Sequence, residues 1–168
     1  MPLRTGTSKM ESIRFGRWEL LCDPELTRKS YASVITGGPE ECGCEPCLNF
    51  IAARQQIYKP DVLELFRKLG ISHDREVEIY HMARVRPGRH LYGGWFHFVG
   101  SIVSGADAAK QMAENLWQPD LERTSELFSV GFSSRLALVR DPFKNLPLVQ
   151  LEISAEVPWI LDRPEPSL

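Results

Sequence analysis

The order in which helix-like and strand-like hydrophobic patterns follow one another along this chain constrains its fold more than any other feature. Residues 45–70 carry two helical stripes, whereas the segments before and after them alternate between apolar and polar residues. Val62, Leu65 and Leu69 form the clearer stripe, and Gly70 then provides a typical helix end. Helices grouped between strand hairpins are typical of the α+β class. The sequence therefore predicts a single α+β domain, an antiparallel sheet with two or three helices packed on one face.

The spacing and type of apolar residues also predict the remaining strands and helices. The strands predicted from alternation or from β-branched and aromatic composition cover residues 13–22, 30–36, 76–83, 90–103, 128–133, 135–140 and 148–157. The other predicted helices are one that starts near Pro46 and one over residues 106–117. Pro87 and Gly88 predict a hairpin turn. Residues 1–12 and 163–168 are polar or proline-rich, so we expect disorder there, on either side of a domain spanning 13–162.

The composition limits the compartment and the partners. An apolar content of 43% in 168 residues is enough for a core without disulfides. Twenty Lys and Arg residues are interspersed with 22 Asp and Glu residues, so charge predicts no nucleic-acid partner. No apolar run approaches the roughly 20 residues of a membrane span, and the N-terminus lacks the apolar core of a signal peptide. We expect a cytoplasmic protein whose partner is a protein or small molecule.

Three of the four cysteines, Cys42, Cys44 and Cys47, lie within six residues, directly before a predicted helix. Thiolates bind soft metal ions, Gly43 permits a sharp turn, and a helix N-terminus stabilises negative sulfur. In a reducing compartment such a cluster is more often metal-binding or catalytic than a structural disulfide. We therefore expect these three thiols to bind a structural zinc ion in a non-enzymatic binding or interaction module.

Three sulfur ligands leave one position of a tetrahedral zinc ion open. The candidates for that position are Cys22, a water molecule and the four histidines, His73, His81, His90 and His97. Cys22 follows two leucines in an apolar segment, where an inert buried thiol is also typical of cysteine. The fourth ligand therefore stays open at this point.

A redox function is the alternative interpretation of the cluster. Cys44 and Cys47 are spaced as in the Cys-x-Pro-Cys motif of thioredoxin-like proteins, where the first cysteine lies at a helix N-terminus. Cys44 would be the attacking thiolate and Cys47 would resolve the mixed disulfide. The additional Cys42 and the Gly-rich, acidic segment before the motif depart from that pattern. A thiol–disulfide oxidoreductase is therefore the alternative function, and three reduced thiols without a role are the remaining possibility.

The aromatic segment 90–100 has two interpretations. In one, Gly93 and Gly94 form a bulge where a ligand approaches, and Trp95 and His97 line a pocket. In the other, the segment is a central strand in a packed core. Aromatic strands are common in cores, which favours the second interpretation.

Other catalytic patterns are weak. The sequence has no Gly-x-Ser-x-Gly, Gly-Lys-Ser/Thr or His-Glu-x-x-His motif, so the simplest hydrolase, nucleotide-binding and metalloprotease assignments do not apply. Glu76 and Glu78 share a strand face, which we interpret as the solvated side of an amphipathic strand.

The cysteine loop, the end of the second helix and the aromatic strand together resemble a family of small bacterial proteins whose function is uncharacterised. The runs that carry the resemblance are Cys42–Phe50, Leu65–Ile71 and Tyr92–Phe98, about the middle third of the chain. The resemblance implies a bacterial, cytosolic origin and a shared domain. It assigns no activity and no residue role.

Overall fold

The computed structural model describes residues 9–167, which contain nine strands and four helices. The strands are β1 (Glu11–Phe15), β2 (Trp18–Cys22), β3 (Glu78–Arg86), β4 (Arg89–Ser104), β5 (Ala109–Ala113), β6 (Leu116–Pro119), β7 (Glu122–Ser125), β8 (Phe128–Ser133) and β9 (Leu148–Pro158). The helices are α1 (Pro24–Tyr31), α2 (Gly38–Cys42), α3 (Glu45–Ile57) and α4 (Pro60–Leu69). None of the helices in this part of the chain is long and apolar enough to cross a membrane.

Seven strands form one antiparallel sheet in the order β1-β2-β4-β9-β8-β7, with β3 paired to the first half of β4. The long strand β4 pairs along both of its edges. One edge pairs first with β3 and then with β2, and the other pairs with β9 over Arg89–Val99. Strands β5 and β6 form a separate two-stranded sheet. An antiparallel sheet with helices confirms the predicted α+β class.

Helices α3 and α4 contact aromatic side chains of β4. The ring centroids of Phe66 and Phe96 lie 4.8 Å apart, and those of Phe50 and Tyr92 lie 5.5 Å apart. Phe96 and Phe98 are fully buried. The core interpretation of the aromatic strand is therefore confirmed for these two residues.

Local signals explain the confirmed elements. Helix α4 starts at Pro60, where a missing N–H costs no helical hydrogen bond, and ends before Gly70 with a φ of 82°. Helix α3 carries Pro46 in its first turn, as predicted. The β3–β4 hairpin turns at the predicted Pro87 and Gly88.

Two predictions for the N-terminal third are wrong. The alternation over residues 13–22 belongs to two strands, because a turn at Gly16 and Arg17 folds β1 back onto β2. The predicted strand over residues 30–36 is instead the end of α1 and a loop. Asp23 caps that helix, since its side chain accepts a hydrogen bond of 2.9 Å from the Leu26 N–H.

Two later predictions are also wrong. The predicted helix over residues 106–117 is replaced by β5 and β6, and residues 110–120 are exposed throughout, so a helix there would have no core to pack against. The segment 135–140 forms no strand, and Leu138 has a positive φ of 53°. Residues 1–8 of the predicted disordered N-terminal segment lie outside the described residues.

Candidate metal centre

A tight corner between α2 and α3 brings the three thiols together. Cys42 is the last residue of α2, Gly43 follows with a φ of 65°, and Cys44 is the N-cap of α3. Cys47 lies one turn into α3. The Tyr92 hydroxyl donates a 2.8 Å hydrogen bond to the carbonyl of Pro46, which fixes this first turn against β4.

The sulfur atoms of Cys42, Cys44 and Cys47 all lie within 4.8 Å of one another. A tetrahedral ion with Zn–S bonds of about 2.3 Å holds its sulfur ligands roughly 3.8 Å apart, so only small shifts would close the group around a metal. Cys42 and Cys44 are exposed, whereas Cys47 is buried. The three thiols are therefore close enough to hold a metal ion at the surface.

The thiols influence one another electrostatically. Hydrogen bonds from the backbone N–H of Cys44, and then from the Cys44 and Cys47 thiols, lower the pKa of Cys42. Burial, followed by its hydrogen bonds to Cys44 and Cys42, raises the pKa of Cys47. Ionisation of Cys42 is therefore favoured, whereas ionisation of Cys47 is opposed. A divalent cation would offset the repulsion between thiolates and displace the proton of Cys47.

Within residues 9–167, no other cysteine, histidine or carboxylate belongs to this group. Cys22 lies on β2 opposite Gly100, and burial raises the pKa of its thiol to about 11. It is therefore placed as an inert core thiol rather than as a fourth ligand. Of the four histidines, His73 is exposed, His81 pairs with His90, and His97 is buried beside Gln150.

A chain of polar side chains that the sequence did not reveal lies beside the β3–β4 hairpin. Nε2 of His81 lies 2.8 Å from Nδ1 of His90, and Nε2 of His90 lies 2.9 Å from Oε2 of Glu165. Glu165 also accepts a hydrogen bond from the Gly88 N–H. The C-terminal segment, for which the sequence predicts disorder, thus contacts His90 of β4 through Glu165. The two residues are 75 positions apart in the sequence, so no local pattern could indicate this contact.

The solvated interpretation of Glu76 is wrong. Its carboxylate is buried and accepts hydrogen bonds of 2.8 Å from Arg54 and 2.9 Å from the Tyr58 hydroxyl. Burial raises the pKa of Glu76, while the Arg54 guanidinium opposes that effect. Glu78 is half-buried, and its carboxylate accepts a hydrogen bond from the neighbouring Ile79 N–H. Glu76 therefore makes a structural contact with α3, and Glu78 makes one within β3.

The structure also corrects the pocket hypothesis for Trp95 and His97. These residues line two separate cavities, one beside the β5–β6 hairpin and one beside α2. Gly93 and Gly94 form no bulge, since both pair in register with β3 and β9. A Cβ atom on Gly93 would come within 2.4 Å of the Tyr80 ring, so a neighbouring side chain, and not a ligand, occupies that space.

Comparison with protein-family models, with curated proteins and with solved structures gives no match to this chain. The chemistry of the site is therefore inferred from its geometry. Three adjacent thiols can bind a soft metal ion or exchange disulfides.

Proposed function

We propose that this protein binds one zinc ion through Cys42, Cys44 and Cys47 and acts as a cytoplasmic binding or interaction module rather than as an enzyme. The observation that carries the proposal is the approach of all three sulfur atoms to within 4.8 Å of one another. Zinc is the ion that suits thiolate ligands without redox chemistry.

The ion would hold the corner between two helices. It would link the last residue of α2 to the first turn of α3, and the N–H of Cys44 would continue to donate to the sulfur of Cys42. Such outer hydrogen bonds orient ligands and adjust their charge. The fourth position would face solvent because Cys42 and Cys44 are exposed. A water molecule or a ligand atom of the partner would occupy it.

Metal analysis of reduced, zinc-loaded protein tests the proposal. We expect about one zinc per chain, and a chelator should lower the melting temperature because binding energy of a structural zinc is folding energy. Cys42→Ser and Cys47→Ser should each lose the ion. Cys22→Ala is the matched control, since it removes a thiol outside the group and should keep the zinc. Metal-free protein after loading, with a melting temperature that chelator leaves unchanged, would contradict the proposal.

Thiol–disulfide exchange remains a second candidate because of one observation. The exposed Cys44 caps α3 while Cys47 is buried one turn later, as an attacking and a resolving thiol would be arranged. The element before the motif is a helix, however, whereas thioredoxin-like motifs follow a strand.

Serine variants separate the two functions. In an exchange enzyme, Cys47→Ser should trap Cys44 in a mixed disulfide with added oxidised glutathione, and Cys42→Ser should be silent. In a zinc protein, both variants should lose stability to a similar extent. We expect the second result, measured by thermal unfolding and intact mass.

A further inference from the structure

A cavity of about 380 Å³ lies between the large sheet and the β5–β6 hairpin. Three aromatic side chains line it, those of Tyr80 on β3, Trp95 on β4 and Trp117 on β6. Trp95 precedes Phe96, whose ring packs against Phe66 of α4, so Trp95 points to the face of the sheet away from that helix. Tyr80 and Trp117 are 37% and 39% exposed, which opens the cavity to solvent. None of the three clustered cysteines lines it, so it is separate from the metal centre.

The missing side chain of Gly93 brings the rings of Tyr80 and Trp95 together. Tyr80 pairs with Gly93 across β3 and β4, and a Cβ atom on Gly93 would lie 2.4 Å from the Tyr80 ring. The ring therefore lies over β4, with its centroid 6.1 Å from that of Trp95 and the two planes tilted by 56°. The indole N–H of Trp95 donates a 3.1 Å hydrogen bond to the carbonyl of Ala137, which fixes the second ring.

Glu152 of β9 adds a carboxylate beside these two rings. It pairs with Trp95 across the strands, and directly opposite residues share one face of a sheet. Burial and then the charge of Glu152 raise the pKa of Tyr80, so the carboxylate lies near the phenol ring. Burial also raises the pKa of Glu152, and only a hydrogen bond from Gln150 opposes that effect. Within the described part of the chain, no lysine or arginine contributes, so this half-buried carboxylate lacks a countercharge.

The third ring already holds a cation. The guanidinium carbon of Arg135 lies 4.1 Å from the ring centroid of Trp117, within the range of a cation–π contact. Arg135 does not affect the pKa of Glu152, so its charge acts at the hairpin end of the cavity. Aromatic surface of this cavity thus accommodates one positive charge, whereas the end beside Glu152 has an unmatched negative one.

We propose that this cavity binds a small organic cation, with its ammonium group against the rings of Tyr80 and Trp95 and beside the carboxylate of Glu152. Aromatic faces attract a cation through their negative potential, and most strongly so where water is excluded. The carboxylate supplies the full charge that the rings lack. The volume lies near the lower end of ligand pockets, which favours a compound of few heavy atoms.

A matched pair of probes tests the charge. Choline and 3,3-dimethyl-1-butanol have nearly the same shape, but only choline carries a positive charge. We expect choline to bind about tenfold more tightly in calorimetry, because the alcohol gains neither the cation–π contact nor the ion pair. In NMR of the wild-type protein, choline should move the indole N–H signal of Trp95. The signal of Trp159, which does not line the cavity, should stay in place. These readouts need no variant that could fail to fold.

Three variants test the location. Glu152→Gln keeps the size of the side chain and should weaken choline binding about tenfold, while binding of the alcohol stays unchanged. Tyr80→Leu removes one ring and should also weaken choline binding. Glu114→Gln is the matched control, since it removes the same charge at an exposed position of the hairpin and should leave binding unchanged.

The proposal is overturned if choline does not bind at millimolar concentration, or if the two probes bind equally tightly. Choline binding that survives Glu152→Gln undiminished would overturn it as well, because the charge that selects the ligand would then lie elsewhere.

Discussion

Buried polar side chains determine how the helices of this protein meet its sheet. Asn49, fully buried on α3, donates a 3.0 Å hydrogen bond to the carbonyl of Pro158 and accepts one of 2.8 Å from the N–H of Ile160. A single side-chain amide thus pairs with one carbonyl and one N–H of the segment that leaves β9. The buried carboxylate of Glu76 accepts hydrogen bonds from the side chains of Arg54 and Tyr58, and so connects the end of α3 to the segment before β3.

Replacing Asn49 by alanine should therefore destabilise the protein. The variant leaves one carbonyl and one N–H without a partner, and each such loss costs about 1–3 kcal/mol. We expect the free energy of unfolding to fall by at least about 1 kcal/mol in urea. Gln55→Ala, at an exposed position of the same helix, is the control and should have almost no effect. Equal stability of the two variants would mean that the Asn49 contacts contribute little.

At the scale of elements, the corner between α2 and α3 depends on one backbone conformation. Gly43 has a φ of 65° and joins Cys42 to Cys44, and a Cβ atom there would meet nothing within 4 Å. Gly70 ends α4 with a similar φ of 82°, but a Cβ atom there would lie 2.2 Å from the carbonyl oxygen of Pro24. A side chain at position 43 would therefore meet conformational strain alone, whereas one at position 70 would also meet a steric clash.

Alanine at these two positions should give different losses. Gly43→Ala should cost about 1–2 kcal/mol, the penalty of the left-handed conformation alone. Gly70→Ala should cost at least about 1 kcal/mol more, because α1 or α4 must also move. Both are measured by chemical denaturation of metal-free protein. A larger loss for Gly43→Ala would show that the corner carries contacts other than those described.

How much the sequence predicts depends on how local the signal is. Helix α4 has its stripe, its first-turn proline and its terminal glycine within eleven residues, and its limits agree with the prediction. The cysteine group is equally local. The cavity at His97 is not, because its lining runs from Tyr31 to Phe143, and only the folded chain brings those residues together. The helix predicted over residues 106–117 is wrong because the spacing of apolar residues does not reveal whether a core lies opposite them.

At the scale of the whole molecule, α2 lies between the metal centre and the cavity that His97 lines. Gly38 and Glu41 of this helix line the cavity, and its last residue, Cys42, belongs to the metal centre. The N–H of Gly38 also donates a 2.8 Å hydrogen bond to the carbonyl of Glu76, which attaches the start of α2 to the segment before β3. A change at either end of so short a helix should therefore reach the other.

Zinc should consequently stabilise the whole of α2, a prediction that rests on the proposed metal site. Zinc would fix the last residue of α2, whereas the N–H of Gly38 at the other end is hydrogen-bonded to the carbonyl of Glu76. We expect the Gly38 amide to exchange with deuterium about fivefold more slowly in zinc-loaded than in reduced, metal-free protein. Hydrogen exchange followed by NMR measures the two rates. In Cys42→Ser, added zinc should leave the rate unchanged, and equal rates for loaded and metal-free wild type would show that α2 does not connect its two ends.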